Sequence, residues 1–390
     1  MIDPELLVSA AEEHGTPLFV YDLDAVADRF QALREALPPR VDVAYAVKAN
    51  PAAEVLHRVA ELGLGADVAS GGELSAVCRA GFDPERVVFT GPGKRDAELD
   101  AAAELPLRAV TVESLGEMER LRLAARRAGS RVRVMVRAAG TDRGTNVIGA
   151  GNGRFGMRWV DLVEAARIAD GTPELELVGM HRFEASNVLD ADDLLGAARV
   201  TVEMASRLGR EVGVNLDMVD LGGGLGIPYR DDDRPIDLAV LGAGLGRLLE
   251  DLDRDPHVAG ARLLLEPGRY LVGPTGVYLA RVIDVKTSAF GRVATIDGGI
   301  HHLLRPALVG QPHRIRLLET DAAERPIESV TVGGPLCTSL DVFARQIDLP
   351  ALEPGDLVAI LDAGAYGFTE SMPFFLSHPL PAEVAISGGG

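Results

Sequence analysis

VDVAYAVKANPAAEVLHRVAELG, residues 41 to 63, contains one full structural period: an apolar run of strand length, a polar break around Lys48 and Asn50, then apolar residues returning every three or four positions. The unit recurs along the chain. Strand-like runs follow at ADVAS (66 to 70), RVVFTG (86 to 91), RAVTVE (108 to 113), RVRVMVRA (131 to 138), LELVGMHRF (175 to 183), NLDMVDLGG (215 to 223) and ARLLLEP (261 to 267). Between them lie helix-period segments such as SLGEMERLRLAARRAG (114 to 129) and LLGAARVTVEMASRLG (194 to 209). Eight alternating units predict a parallel (β/α)8 barrel over residues 28–275. After residue 275 the helical period gives way to GVYLARVIDVKT, RVATIDGG, ESVTVGGPL, DLVAILDAG and AEVAIS. These runs predict a second, mostly antiparallel β domain over residues 276–390. Residues 1–27 are expected to join it, because FVYDL (19 to 23) precedes a barrel already complete without it.

A chain of 390 residues is long enough for a barrel plus a second domain. Hydrophobic content of 47% with 25% charged residues fits a soluble globular protein, and no apolar run reaches membrane-spanning length. The acidic start, MIDPELLVSAAEEHGTP, lacks the basic and apolar regions of a signal peptide, so a cytoplasmic location is expected. Two cysteines, Cys78 and Cys337, give no disulfide framework. Cys78 reads as a small buried hydrophobe on the apolar side of GELSAVCRAG. The net charge of -19 argues against nucleic acid or an anionic membrane as partner. One local exception is HHLLRPALVGQPHRIRL (301 to 317), where cations gather without a compensating acid; the alternative is a loop of solvated charges. The adjacent His301 and His302 are expected to point apart, so no metal site is predicted.

In such barrels the active site forms at the carboxyl ends of the strands. The residues placed there are Lys48, Asp67, Glu73, Arg137, His181, Phe183, Ser186, Gly222, Gly223, Gly224, Glu266 and Arg269. Lys48 is one of only three lysines. Alternation puts Asp42, Ala44, Ala46 and Lys48 on one face of the first strand, pointing Lys48 into the barrel mouth, where a partly buried neutral amine can condense with a carbonyl. A solvated edge charge is the bland alternative. LGGGLGIPY (221 to 229) offers backbone N–H groups that can approach an anion closely, or is a plain strand-to-helix turn. In LLLEPGRYLVGP (263 to 274), Glu266 can keep a heteroaromatic nitrogen protonated and Arg269 can hold a phosphate; the alternative is a surface ion pair.

Through AYAVKANP, ADVASGGEL, FTGPGK, RFGM, LGGGLGIPY, EPGRYLV, GGPLCTSLD and DAGAYG, the sequence resembles the barrel-fold (fold type III) pyridoxal phosphate-dependent decarboxylases, the group of diaminopimelate, ornithine and arginine decarboxylases. The resemblance implies an alanine-racemase-like barrel and pyridoxal 5'-phosphate as cofactor. It implies Lys48 as the lysine bonded to the cofactor aldehyde and Glu266 facing the pyridine nitrogen. Ser186, Gly222, Gly223, Gly224, Arg269 and Tyr366 would hold the phosphate, and Gly268 would also contact the cofactor. Asp67 and Arg137 would support the lysine and ring, with Glu73 behind them. His181 and Phe183 would also contact the cofactor, and Arg305, Thr338 and Asp341 the substrate. Cys337 matches the general acid that reaches the active site of the opposite subunit of a homodimer. In the implied reaction the ring takes up the electrons left when carbon dioxide departs, and Cys337 protonates the carbon.

Two departures bear on the substrate. MHRFEASN puts Phe183, Glu184 and Ala185 where the family has an HIGS-like run with a stacking histidine, and Thr338 stands where an acid would receive a distal ammonium. With GPLCTSLD, DGGIHHLLRPAL and GAYGFTESMPFFLSHPLPAEV, this is most similar to the branch that acts on amino acids tethered to an acyl carrier protein in antibiotic biosynthesis. The expected substrate is then a glutamyl or aspartyl thioester, with the run from His301 to Arg316 as the carrier dock. The alternatives are a free diaminopimelate, lysine or ornithine decarboxylase, and a catalytically silent regulatory homologue.

Overall fold

A computed structural model describes residues 2–140 and 153–388. Its eight-stranded closed barrel is built from β2 to β9, with β1 outside it in the chain's second unit. Those strands are β1 (Leu18–Asp22), β2 (Val41–Ala46), β3 (Gly65–Val68), β4 (Val87–Phe89), β5 (Ala109–Val112), β6 (Val132–Arg137), β7 (Leu175–His181), β8 (Met218–Asp220) and β9 (Arg262–Leu265). Every neighbouring barrel pair is parallel, and β2 closes the ring against β9 through Val41↔Leu263 to Val43↔Leu265. All eight runs read from the sequence are barrel strands.

The inside of the barrel is layered. Ala44, Val88, Ala109, Met135, Val178, Met218 and Leu264 form an apolar plug at mid-height. At the amino end Asp42 is gripped by Arg108 and, at 2.6 Å, by Arg262. Moving one pleat from the plug towards the carboxyl end turns the lining polar: Asp67, Thr90, Thr111, Arg137, His181, Asp220 and Glu266 are all buried. An apolar plug beneath a buried polar layer confines chemistry to one mouth. The β6–β7 ladder slips between Val134 and Met135, pairing Met135 with Gly179 and Arg137 with His181. Gly179 permits this, since a Cβ there would lie 2.2 Å from the Met218 carbonyl oxygen.

The compact unit holding the barrel comprises Arg29–Gly226 and Pro235–Gly268; the second comprises Met1–Asp28, Ile227–Arg234 and Arg269–Gly390. In the second unit are β10 (Gly276–Ser288), β11 (Gly291–Ile296), β12 (Ile315–Leu317), β13 (Ile327–Gly333), β14 (Val342–Pro350), β15 (Leu357–Ile360) and β16 (Ala382–Ile386). Their sheet order is β12-β15-β10-β11-β13-β14, with β1 paired antiparallel to β10 and parallel to β16. FVYDL thus belongs to this mostly antiparallel sheet, as its place before the barrel predicts. Leu18, Val20, Val277, Leu279, Leu357 and Ala359 make its core.

Candidate active site

In the barrel unit, β2 ends in a tight turn over Val47–Ala49 that carries Lys48. Lys48 Nζ lies 3.1 Å from Asp67 Oδ2; the lysine side chain is 46% exposed and the aspartate 1%. Asp67 is held from its other oxygen by the Thr90 hydroxyl. This gives an accessible amine on a fixed, buried carboxylate. Glu73 caps the next loop by accepting from Ala69 N at 2.7 Å, and burial raises its carboxyl above the usual range. Arg137 Nη1 donates to Glu113 Oε1 at 2.6 Å, while Glu113 Oε2 accepts from Gly156 N at 3.0 Å. The RFGM segment is tied to the rim this way.

Deeper in the same mouth, His181, Asp220 and Glu266 offer ligand atoms all within 4.8 Å of one another. Burial, then the charges of Arg137, Lys48 and Lys94, hold His181 neutral by pulling its pKa well below the usual value. Burial, then the neighbouring Asp220 and Asp67, push the Glu266 carboxyl well above the usual range. Asp220 is pushed up to about 7, chiefly by burial.

The glycine-rich turn after β8 is built for close approach. Gly222 and Gly224 have φ of +68° and +107°, and a Cβ on Gly223 would lie 2.5 Å from the Glu266 carbonyl oxygen. Val188 N donates to Gly224 O at 2.8 Å and Gly226 N to Val188 O at 2.9 Å, stitching the loop that carries Ser186 to this turn. A Cβ at Gly222 would lie 3.1 Å from the Phe183 ring, and one at Gly268 would lie 2.7 Å from Ala49 Cβ. Lys48, Asp67, Arg137, His181, Phe183, Ser186, the three glycines, Glu266 and Gly268 thus all belong to the barrel unit.

The second unit gathers another cluster. Arg269 Nη1 donates to Tyr229 at 2.7 Å and to Gln311 at 3.0 Å. The Tyr366 ring lies 4.9 Å from the Arg269 guanidinium carbon and 4.3 Å from that of Arg305. Tyr366 has φ of +55°, which is uncommon for a bulky side chain. Arg305 also pairs with Glu370 at 2.8 Å. Cys337 is exposed on the loop between β13 and β14. Asp341 binds that loop together, accepting from Leu336 N at 2.7 Å and Ile300 N at 2.8 Å. Half-buried Thr338 sits beside Cys337 in it.

Three expectations are corrected. Cys78 is exposed on its helix, one step off the face that buries Leu74 and Val77. His301 and His302 do not point apart; both are buried and their ring centroids are 3.7 Å apart, because the backbone turns there. The basic run from His301 to Arg316 is not without acids: Arg314 pairs with Asp362 at 2.7 Å, Arg305 with Glu370, and His301, His302 and His313 are buried. Asp362 and Glu370 are distant in sequence, which hid the compensation. Sequence reasoning also missed Asp220, Thr90 and Glu113, although Asp220 lies two residues before Gly222 in the quoted motif.

The donor set fits pyridoxal phosphate. Among the described residues no donor reaches Glu266 Oε1 or Asp220 Oδ2, both buried, and the glycine turn leaves backbone room that any Cβ would fill. An amine on a carboxylate, a buried acid at the barrel mouth and a glycine cradle define a barrel-fold enzyme that works through a carbonyl cofactor. Residues 23–273 match the family model for the pyridoxal-dependent decarboxylase pyridoxal binding domain, and the chain belongs to that family of PLP-dependent amino-acid decarboxylases. It is 35% identical to a diaminopimelate decarboxylase from Methanothermobacter thermautotrophicus, over 98% of this chain and 89% of that one. It is 29% identical to an L-glutamyl-[BtrI acyl-carrier protein] decarboxylase from Niallia circulans, over 100% and 92%. The Helicobacter pylori diaminopimelate decarboxylase complexed with L-lysine superposes with a TM-score of 0.88 at 29% identity, covering 99% of this chain and 94% of that one. Among the described residues no helix is long and apolar enough to cross a membrane.

Proposed function

We propose that this enzyme decarboxylates a free diamino acid of the diaminopimelate, lysine or ornithine class at its α-carbon, giving an amine. The observation that carries this choice over a carrier-tethered substrate is the internal compensation of the basic run: with Arg314 on Asp362 and the histidines buried, little of that run is left to dock an acidic carrier. The 35% identical diaminopimelate decarboxylase supports the same reading.

Lys48, accessible beside Asp67, would be the amine that holds the cofactor aldehyde, with Asp67 orienting it. Gly222, Gly223, Gly224 and Ser186 would supply phosphate donors from the barrel unit. Glu266 would accept a hydrogen bond from the cofactor's ring nitrogen, and Phe183 would offer an aromatic face to the ring. Bound pyridoxal phosphate supplies the electron sink for loss of carbon dioxide. Cys337, exposed on its Asp341-clamped loop, returns the proton to the product carbon, acting on the partner's site in a homodimer.

A second reading, a glutamyl or aspartyl group on an acyl carrier protein, is favoured by Thr338 beside Cys337 and by the full-length 29% identical relative. Carbon dioxide release from purified holoenzyme separates the two. Turnover of a free diamino acid with none on glutamyl-carrier protein supports the first; turnover confined to the tethered substrate overturns it.

A further inference from the structure

Three carboxylates line the polar layer of the barrel: Asp67, Asp220 and Glu266, exposed to 1%, 0% and 4%. Among the described residues, the cations in reach do not balance them. Lys48 pairs with Asp67, Arg137 is committed to Glu113 and Lys94 to Glu117. His181 Nε2 stands 3.7 Å from Glu266 Oε2, but among the described residues neither of its ring nitrogens has a hydrogen-bond partner. Asp220 Oδ1 accepts from Gly222 N at 2.8 Å, while among the described residues no donor reaches Asp220 Oδ2 or Glu266 Oε1, and the two carboxyl groups face each other in the 4.8 Å cluster. Two adjacent buried carboxylates cannot both stay ionised without a counter-ion, and a single proton between them removes most of the cost.

We propose that Asp220 is a positioning residue that shares one proton with Glu266 in the cofactor-free protein, and that this proton passes to the pyridine nitrogen when the cofactor enters. The balance is simple: one O–H bond breaks, one N–H bond forms, and two carboxylates face one pyridinium. No electrons move and no solvent proton is required. His181, kept neutral, borders the pair without competing for the proton. The raised pKa of both carboxyls is in keeping with this. The inference rests on the placement of Glu266 at the ring nitrogen, and it gives the glycine turn a second task, since Gly222 N fixes the Asp220 carboxylate.

Infrared difference spectra of the wild-type protein before and after loading test it, with pyridoxal phosphate and with its 1-deaza analogue, in which C–H replaces the ring nitrogen. The expected result is a carboxylic-acid C=O band in the apoprotein that is lost with pyridoxal phosphate and kept with the analogue. In Asp220→Asn the band shifts, because Glu266 then titrates without its carboxylate partner. Absence of an acid band in the apoprotein, or a band unmoved by Asp220→Asn, overturns the shared proton. A band that shifts in Asp220→Asn but survives pyridoxal phosphate overturns instead the transfer, and with it the placement of Glu266.

Discussion

Replacing Lys94 by methionine separates a structural lysine from a chemical one. Lys94 Nζ donates to Gly91 O at 2.8 Å, Thr111 O at 2.7 Å and Glu117 Oε1 at 2.7 Å, so all three of its donors are used. Its side chain is 1% exposed and that of Glu117 3%. Methionine fills similar space but strands the Glu117 carboxylate, and breaking a buried pair from one side costs about 3–5 kcal/mol. Removing both charges in Lys94→Met/Glu117→Met returns most of this. The double variant stays about 1–2 kcal/mol below wild type, because the Gly91 and Thr111 carbonyls still lack their donor. Urea titration followed by circular dichroism measures both. At saturating pyridoxal phosphate the folded single variant keeps the cofactor absorbance. A Lys94→Met protein within about 0.5 kcal/mol of wild type, or a double variant no better than the single, refutes the buried-pair reasoning.

Gly223→Ala puts a Cβ 2.5 Å from the Glu266 carbonyl, so cofactor affinity in a fluorescence titration of the apoprotein should fall at least about tenfold, or about 1.4 kcal/mol. Unchanged affinity argues against the cradle. Asp220 has its folded pKa raised from 3.8 to about 7, so its contribution to apoprotein stability is complete below 3.8 and lost as pH rises towards 7. Asp220→Asn should flatten that limb of a pH series of thermal melts. The opposite sign holds for His302, pulled down from 6.5 to about 4 chiefly by burial: its contribution is complete above 6.5 and lost as pH falls towards 4. In the neutral ring one nitrogen faces the Tyr278 hydroxyl at 2.9 Å and the other donates to Pro379 O at 3.0 Å, so His302→Gln should weaken the acid sensitivity in the same melts. Cys337→Ala should slow amine formation more than carbon dioxide loss in single-turnover runs; equal slowing removes the thiol from protonation.

The barrel was legible because seven of its strands, β2 to β8, are followed by a helix whose apolar period differs from the strand's, and β1 was legible because eight strands already close the ring. Lys48, Asp67 and Glu266 were legible from their places at strand ends. Other parts depend on contacts that sequence spacing does not reveal. Strict alternation counted from Val178 would turn His181 outwards, and only the slip in the β6–β7 register brings it beside Glu266. Asp220 reads as an ordinary strand residue until the closed barrel brings it up to Glu266. The basic run looked unpaired because Asp362 and Glu370 return to it from 48 and 65 residues away. Cys78 misled because a helix of nine residues turns it one position past its buried face.

The covalent site is tested most directly by reducing the holoenzyme with borohydride, digesting it and locating the pyridoxyl adduct by mass spectrometry. The adduct is expected on Lys48 and on neither Lys94 nor Lys286. An adduct on either of those two, or none on Lys48 in a protein that binds pyridoxal phosphate stoichiometrically, contradicts the account.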